Sequence, residues 1–244
     1  MRKRLLPNIL LLVGIPSLLF TSCVDDRYLT VPPPVADQSH IEEFDTVAAS
    51  LSRGWMITNA STPKGSNIWQ QGGEVMPWFS PFSSNGTYAG FIGADYTSTS
   101  AAAGIISNWL ISPPVTFQNG DKIIFYTRAL QYDDGAGDST DYGNRLQVRL
   151  NLHNEGLNVG SGSDAGDFDT PLLDINPTYE FSSIVTPSTK AYPANWTRFE
   201  ATVYGLSKPV RGRYAFRYFI EGGGWNGLGS GVGIDYVTYQ SVGR

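Results

Sequence analysis

The fold is decided by the stretch RLQVRLNL at residues 145–152. Every second position carries an aliphatic side chain: Leu146, Val148, Leu150 and Leu152. Arginine, glutamine and asparagine occupy the positions between them. Because successive side chains of a β-strand point to opposite faces, this alternation predicts a strand with one face in a core and the other in solvent.

Similar runs recur along the chain, rich in aromatic and β-branched residues and bounded by Gly, Pro or Asn. The long ones lie at 122–130, 197–204, 213–221 and 232–239, and shorter candidates lie at 54–58, 67–71, 87–92 and 105–111. No 12-residue segment has a helical period, and 27 Gly and 15 Pro in 244 residues disfavour a helical bundle. We therefore predict an all-β protein: a jelly-roll β-sandwich, galactose-binding-like, with about nine or ten strands in two antiparallel sheets.

The N-terminus has the features of a lipoprotein signal peptide. Residues 1–22 begin with three basic residues, continue through a broken apolar stretch and end in small polar residues directly before Cys23. This ending resembles a bacterial lipobox, so we expect Cys23 to be lipidated and to anchor the protein to a membrane. Asp25 and Asp26 resemble the acidic export signal of Bacteroides-type surface lipoproteins. The predicted location is the outer membrane, on the cell surface.

Domain boundaries follow from this leader. Residues 23–40 include three consecutive prolines and predict a lipidated tether, and residues 41–244 form the predicted sandwich domain. Removal of residues 1–22 takes away three positive charges and no negative ones, which changes the net charge from −5 to −8. Such an acidic domain repels phosphate backbones, so we expect no nucleic-acid partner.

Much catalytic chemistry is excluded by composition. A single cysteine and two histidines, His40 and His153, leave no disulfide framework, no Cys/His zinc site and few options for a histidine-based triad. The glycines at 222, 224 and 227 satisfy GxGxxG, but no helix follows to hold a pyrophosphate. We interpret this segment as a flexible hairpin loop with Trp225 at its tip. Two loops rich in Asp and Gly, at 132–144 and 154–170, are interpreted as solvated.

A series of short motifs carries a family resemblance. In chain order they are Glu42-Glu43-Phe44-Asp45, Gly54-Trp55, Trp69, Trp109-Leu110-Ile111-Ser112-Pro113, Ile123-Ile124-Phe125, Leu146-Gln147-Val148, Trp196, Ala215-Phe216-Arg217-Tyr218 and Gly233-Ile234-Asp235-Tyr236-Val237. Over about residues 42–239 this order resembles the cleaved adhesin, or choice-of-anchor J, family. The resemblance implies a jelly-roll sandwich, surface display, adhesion or carbohydrate binding, and often a structural calcium ion.

The resemblance also implies which residues would hold calcium. Glu42, Asp45 and Asp235 match acidic positions of the family and could supply carboxylate ligands. Two departures from the family pattern are Tyr236, where the family has a second aspartate, and the Ser-Asn pair that contains Asn108, where relatives have Asp-Asn. An alternative role for Asp235 is a hydrogen bond to a neighbouring loop.

Aromatic residues in loops are the candidates for ligand contact. Stacking of a sugar on Trp or Tyr allows a rigid sandwich to recognise glycans without a cofactor. We predict contact roles for Trp225, Trp78 and Tyr132, although the segment 77–82 could instead cover the core. Four other tryptophans are assigned to the core: Trp55, Trp69, Trp109 and Trp196.

The sequence thus predicts a surface-anchored lipoprotein with a non-catalytic adhesin-like domain that binds glycan or another extracellular ligand. One alternative is an interaction module, an accessory subunit of a surface protein complex. A second is a glycan hydrolase, which needs two carboxylates facing one cleft. Beyond calcium, no cofactor is expected.

Overall fold

The structure is a computed structural model that describes residues 34–83, 88–133, 137–183 and 185–242. The predicted signal peptide and Cys23 lie outside these ranges, as does most of the predicted tether. Within these ranges, no helix has the length and apolar character needed to cross a membrane.

Strands of two to fourteen residues and the loops between them make up most of the chain from residue 35 onwards. A helix, α1, spans Val47–Ser52, and a 3-10 turn spans Tyr96–Ser98. The strands are β1 His40–Glu42, β2 Met56–Asn59, β3 Gln70–Gln71, β4 Ile92–Asp95, β5 Gly104–Ile111, β6 Val115–Phe117, β7 Lys122–Ala129, β8 Tyr132–Asp133, β9 Ser139–Thr140, β10 Leu146–Asn151, β11 Thr170–Ile175, β12 Thr197–Thr202, β13 Val210–Gly223 and β14 Gly231–Gln240.

These strands form two antiparallel sheets. The first sheet has the order β12-β7-β14-β4-β3, with β1 beside β14, and the second has the order β11-β10-β13-β5-β2, with β6 beside β13. Strands β8 and β9 form a separate ribbon. The long strands β5, β7, β10, β12, β13 and β14 alternate between the second and the first sheet along the chain. The predicted jelly-roll β-sandwich of two antiparallel sheets is confirmed.

The core lies between the inner faces of the two sheets. In β10 the alternating Leu146, Val148 and Leu150 are buried, as the sequence pattern predicts. Across the sandwich, the rings of Phe125 in β7 and Phe216 in β13 meet edge to face, with centroids 4.9 Å apart. Such a pair contributes about 0.5–1.5 kcal/mol beyond the burial of its area.

Two of the differences between the predicted and the observed strands concern β4 and β11. The strand expected at 87–92 is instead β4, Ile92–Asp95, in which every side chain is buried, so that no alternation marks it. Strand β11 was not predicted because Pro171 interrupts it and because the adjacent Leu172 and Leu173 break the two-residue alternation of apolar side chains. It pairs with β10 alone in its sheet order, and an edge strand tolerates proline because one side needs no N–H donor.

The Asp-rich loop at 154–170 covers the outer face of the second sheet. Val159 and Phe168 are buried there against Trp109 of β5, whose ring centroid lies 5.5 Å from that of Phe168. The prediction that this loop is simply solvated was therefore wrong. Its apolar residues form a second small core, whereas Asp164, Asp167 and Asp169 remain at the surface.

Arg217 fastens this loop to the sheet. Its Nε donates to Ser107 Oγ at 3.0 Å, and its Nη2 donates to the carbonyl oxygens of Gly162 (2.6 Å) and Asp164 (3.0 Å). The guanidinium also lies 4.8 Å from the ring centroid of Trp109. Burial lowers the pKa of Arg217 to about 9, so the side chain is still charged at neutral pH and makes charge-assisted hydrogen bonds.

Substitution Arg217→Met should loosen the loop while it keeps most of the buried side-chain volume. Because two carbonyl groups lose their donor, we expect the free energy of unfolding to fall by about 1–3 kcal/mol, measured by urea denaturation. The control is Arg211→Met on the same strand, where an ion pair at 47% side-chain exposure should be worth less than about 0.5 kcal/mol. Equal destabilisation by the two substitutions would contradict the role of Arg217.

Candidate functional site

A tight turn between β13 and β14 holds Trp225 at one end of the sandwich. The N–H of Gly227 donates to the carbonyl of Gly224 at 3.0 Å, and the N–H of Asn226 donates to the carbonyl of Ala102 at 3.0 Å. Gly224 has φ +139°, and a Cβ there would lie 2.3 Å from the carbonyl oxygen of Ala101. The backbone is thus fixed, while the Trp225 side chain is 70% exposed at the tip.

The loop that carries β8 and β9 lies beside this turn. Tyr132 and Tyr142 place their rings 6.1 Å apart on it. The N–H of Gly229 donates to the Tyr142 carbonyl at 2.7 Å, which ties this loop to the turn. Beneath it, the buried Asn144 donates from Nδ2 to Ser230 Oγ at 2.8 Å. Backbone and buried side-chain hydrogen bonds therefore hold the two loops together.

Between them is an open cleft of about 470 Å³, which we name the aromatic cleft. Its described lining residues are Tyr96, Tyr132, Asp133, Tyr142, Gly224, Trp225, Asn226, Gly227 and Gly229. This volume lies within the usual range for small-molecule sites. Aromatic rings, a carboxylate and an amide occur together, which is a surface suited to stacking and to directed hydrogen bonds.

The sequence predicted two residues of this cleft, Trp225 and Tyr132. Sequence reasoning gave no contact role to Tyr142, Asp133 or Tyr96. Tyr142 has a left-handed backbone, φ +54°, directly before Gly143, and this conformation turns the loop back towards the cleft. A tyrosine at each end of a Gly- and Asp-rich loop was the available signal, but alone it does not show that the two rings meet.

Tyr132 has a perturbed hydroxyl. Burial raises its pKa to about 12, and nearby Tyr96, Asp95 and Glu74 act in the same direction. The phenol therefore stays protonated at neutral pH, and it can donate a hydrogen bond to a ligand.

Trp78, the third predicted contact residue, is not among the residues that line the cleft. It belongs to residues 77–83, which we name the aromatic strap and which pack on the outer face of the first sheet. A Cβ added at Gly93 would lie 2.7 Å from the Trp78 ring, and one at Gly231 would lie 3.0 Å from it. Its half-buried indole thus rests on backbone that carries no side chains.

The rest of the strap also packs on this face. Phe79 stacks on Phe91 with centroids 4.6 Å apart, and Phe82 stacks on Tyr126 at 3.5 Å. Trp196 contacts the strap by donating from Nε1 to the carbonyl of Ser80 at 2.9 Å. The assignment of Trp196 to the core was wrong, since it is partly exposed beside the strap, whereas Trp55, Trp69 and Trp109 are buried.

Asp235 fastens the end of the strap. Its Oδ2 accepts hydrogen bonds from the backbone N–H groups of Phe82 (2.8 Å) and Ser83 (2.9 Å). The hydrogen bond to a neighbouring loop, the alternative left open by the sequence, is thus present. Burial raises the pKa of Asp235 to about 7, and the charge of Asp45 adds to this rise.

Glu42, another predicted calcium ligand, is engaged elsewhere. Its Oε1 accepts from Arg53 Nη2 at 2.6 Å and from Ser50 Oγ at 2.9 Å, and its Oε2 accepts from Arg53 Nε at 2.9 Å. The neighbouring Glu43, which sequence reasoning passed over, accepts from Ser83 Oγ at 2.7 Å instead. Glu42 is therefore held in an ion pair on the other side of the strand from Glu43.

The donor set suits a calcium ion only in part. Asp45 and Asp235 are close enough for their charges to interact, but Glu42 is bound to Arg53. Among the described residues, no group of three or more His, Cys, Asp or Glu is arranged to hold a metal ion. Calcium binding by Glu42, Asp45 and Asp235 stays a prediction.

Neither a protein-family model nor a curated protein matches the chain. Solved structures do match: the K2 cleaved adhesin domain of Lys-gingipain has a TM-score of 0.51 at 16% identity, covering 83% of this chain and 99% of that domain. The chain has the fold of a cleaved adhesin domain.

A second solved domain supports the same conclusion. The K3 cleaved adhesin domain of Lys-gingipain from Porphyromonas gingivalis matches with a TM-score of 0.50 at 16% identity, covering 85% of this chain and 100% of that domain. The cleaved adhesin fold predicted from the motif order is therefore confirmed. At this identity the likeness concerns the fold, and the site has to be argued from the residues of this chain.

The calcium prediction can be tested by thermal unfolding of the full chain with added calcium or with a chelator. An ion between Asp45 and Asp235 would relieve their repulsion, so calcium is expected to raise Tm by about 2–4 °C per kcal/mol of linked binding energy. Asp45→Asn should abolish the shift. Glu42→Gln should lower Tm without calcium because it breaks the Arg53 ion pair, and it should also reduce the calcium shift, as expected for a ligand. A transition that calcium leaves unshifted would end the proposal for all three residues.

Proposed function

We propose that this protein is a surface-anchored, non-catalytic binding protein whose aromatic cleft holds a glycan. The observation that carries the proposal is the exposed Trp225, 70% accessible on a turn that hydrogen bonds hold in place. Trp225 shares the cleft with the rings of Tyr132 and Tyr142, and a contiguous exposed apolar surface of this kind marks an interaction site. A rigid presentation also reduces the entropy lost on binding.

The remaining cleft residues supply what a sugar needs. A pyranose ring has an apolar face that stacks on indole or phenol rings, and hydroxyl groups around its edge. Tyr132 keeps its hydroxyl proton as a donor, Asp133 offers carboxylate oxygens, and Asn226 offers both a donor and an acceptor. The cleft volume of about 470 Å³ suits one or a few sugar units.

Two observations support a binding role without catalysis. The solved structures that share the fold are named as adhesin domains. Asp133 is the carboxylate among the described residues that line the cleft, whereas glycoside hydrolysis normally uses two carboxylates that face each other across the scissile bond. A binding module therefore accounts for the cleft better than a hydrolase does.

Attachment to the outer membrane is the second part of the proposal. It rests on the sequence of residues 1–22 and on Cys23, which follows them directly. A stable anchor requires more than one acyl chain, and a lipidated N-terminal cysteine supplies this. The anchored domain would then present its cleft at the cell surface.

The glycan proposal predicts that Trp225→Ala weakens binding. Loss of a stacking residue of this kind costs about 2 kcal/mol or more, so affinity for a glycan found on an array should fall about thirtyfold. The full chain in detergent should be used, with affinity measured by calorimetry. Since Trp225 is mostly exposed, its loss should leave Tm nearly unchanged.

The matched control is Tyr204→Ala. Tyr204 is 74% exposed, but it lies between β12 and β13, at the opposite end of β13 from the Trp225 turn. This substitution should leave both affinity and Tm unchanged. Failure of the native chain to bind any glycan would contradict the proposal and favour an interaction module for protein partners.

The anchor is tested by Cys23→Ala in a bacterial host that processes lipoproteins. We expect the native chain to incorporate a labelled fatty acid and to fractionate with the outer membrane. The variant should lose the label and leave the membrane fraction, with the same Tm once purified. A variant that is still labelled would refute lipidation at Cys23.

A further inference from the structure

Each of the three tyrosines that line the aromatic cleft is next to an aspartate in the sequence. Asp95 directly precedes Tyr96, Asp133 directly follows Tyr132, and Asp141 directly precedes Tyr142. Asp133 reaches the lining of the cleft, whereas Asp95 and Asp141 are buried. Among the lining residues that the structure describes, none is Lys, Arg or His.

We propose that the aromatic cleft selects glycans by charge, that it prefers ammonium-bearing sugars over neutral ones, and that it excludes anionic sugars such as uronates. This inference rests on the proposed function and names the class of glycan. Three observations carry it: the carboxylates at the cleft, the neutral groups that hold the buried pair, and the aromatic faces themselves.

The two buried carboxylates are held by neutral donors. Asp95 Oδ1 accepts from the N–H of Thr97 at 2.9 Å and from its Oγ1 at 2.6 Å. Asp141 accepts from the backbone N–H groups of Gly143 at 3.3 Å and Asn144 at 3.4 Å. These donors bring no formal positive charge to either carboxylate.

Burial raises the pKa of Asp95 and of Asp141, which favours their protonated forms and lessens their contribution at acidic pH. The carboxylate that lines the cleft itself belongs to Asp133. The charged groups that raise the pKa of Tyr132 are Asp95 and Glu74, both carboxylates. An ammonium group in the cleft would therefore meet a favourable potential, and a ligand carboxylate would meet a repulsive one.

The aromatic lining favours the same ligand. Faces of Trp and Tyr carry a negative quadrupole that attracts cations, and Trp is the strongest of the aromatic side chains in this respect. Trp225 and the tyrosine pair thus attract both the C–H face of a sugar and an attached ammonium group. Neutral sugars gain only the contact of their C–H face with the rings.

The charge preference is tested with matched β-1,4-linked tetrasaccharides of glucosamine, N-acetylglucosamine, glucose and glucuronate. The four probes share the same backbone linkage and differ in one substituent. Affinity for the full chain in detergent should be measured at mildly acidic pH, where the amines are protonated, and at low and high salt. We expect the glucosamine probe to bind about three- to tenfold more tightly than the neutral probes, with the difference reduced by salt. The glucuronate probe should bind most weakly.

Asp133→Asn tests the origin of the preference. It removes one negative charge at the cleft and keeps the side-chain shape, so the advantage of glucosamine over N-acetylglucosamine should shrink. The control is Glu155→Gln, which also removes one negative charge. Glu155 pairs with Arg211 near the start of β13, and at roughly 3.3 Å per residue this position lies about 40 Å from the end of β13 that leads to the cleft. The control should keep the preference of the native chain.

The outcomes separate the two proposals. Binding that is equal for amine, neutral and acidic probes, or strongest for glucuronate, would overturn charge selection but leave glycan binding intact. If Asp133→Asn and Glu155→Gln reduce the preference for glucosamine equally, the preference comes from the net charge of the protein, and charge selection by the cleft is overturned. Absence of binding to all four probes and to a general glycan array would overturn both proposals.

Discussion

The two-residue period of the strands is the constraint on which the rest of the structure depends. It sends one row of side chains, such as Val148, Phe125 and Phe216, into the core, and it leaves each sheet with an outer face. Both outer faces are then covered by irregular segments. The aromatic strap covers the first sheet and the loop at 154–170 covers the second, so aromatic and aliphatic burial extends beyond a simple two-layer sandwich.

Hydrogen bonds between two loops, and not packing in the core, hold the aromatic cleft together. Backbone hydrogen bonds of the turn at 224–227 and the buried amide of Asn144 fix two loops, and the aromatic side chains they carry remain accessible. Rigid loops on a rigid sandwich place Trp225 and Tyr132 without help from the core. The exposed side chain of Trp225 can therefore be exchanged with little effect on folding, which separates its role in binding from stability.

Sequence reasoning succeeded where a local pattern carries the information. Alternation in residues 145–152 and the glycines around Trp225 predicted a half-buried strand and a loop with Trp225 at its tip. The strand and the exposed Trp225 are present, but Gln147 and Asn151, on the face predicted to be in solvent, are buried as well. Sequence reasoning failed where contacts between residues far apart in the chain determine the position of a side chain. Trp196 and Trp78 look alike as aromatic residues in polar surroundings, yet their positions depend on a strap that lies more than 100 residues from Trp196. The ion pair between Glu42 and Arg53 and the burial of Phe168 likewise follow from pairing that no local period reveals.

The glycines under the aromatic strap have a consequence for how this sequence can change. Trp78 lies on Gly93 and Gly231, and Phe79 lies 2.8 Å from where a Cβ of Gly233 would be. A side chain at any of these three positions displaces a ring of the strap, and loss of the rings exposes bare backbone. Substitutions in the strap and at the glycines of β4 and β14 are therefore expected to be tolerated only together, although about 150 residues separate Trp78 from Gly231 and Gly233.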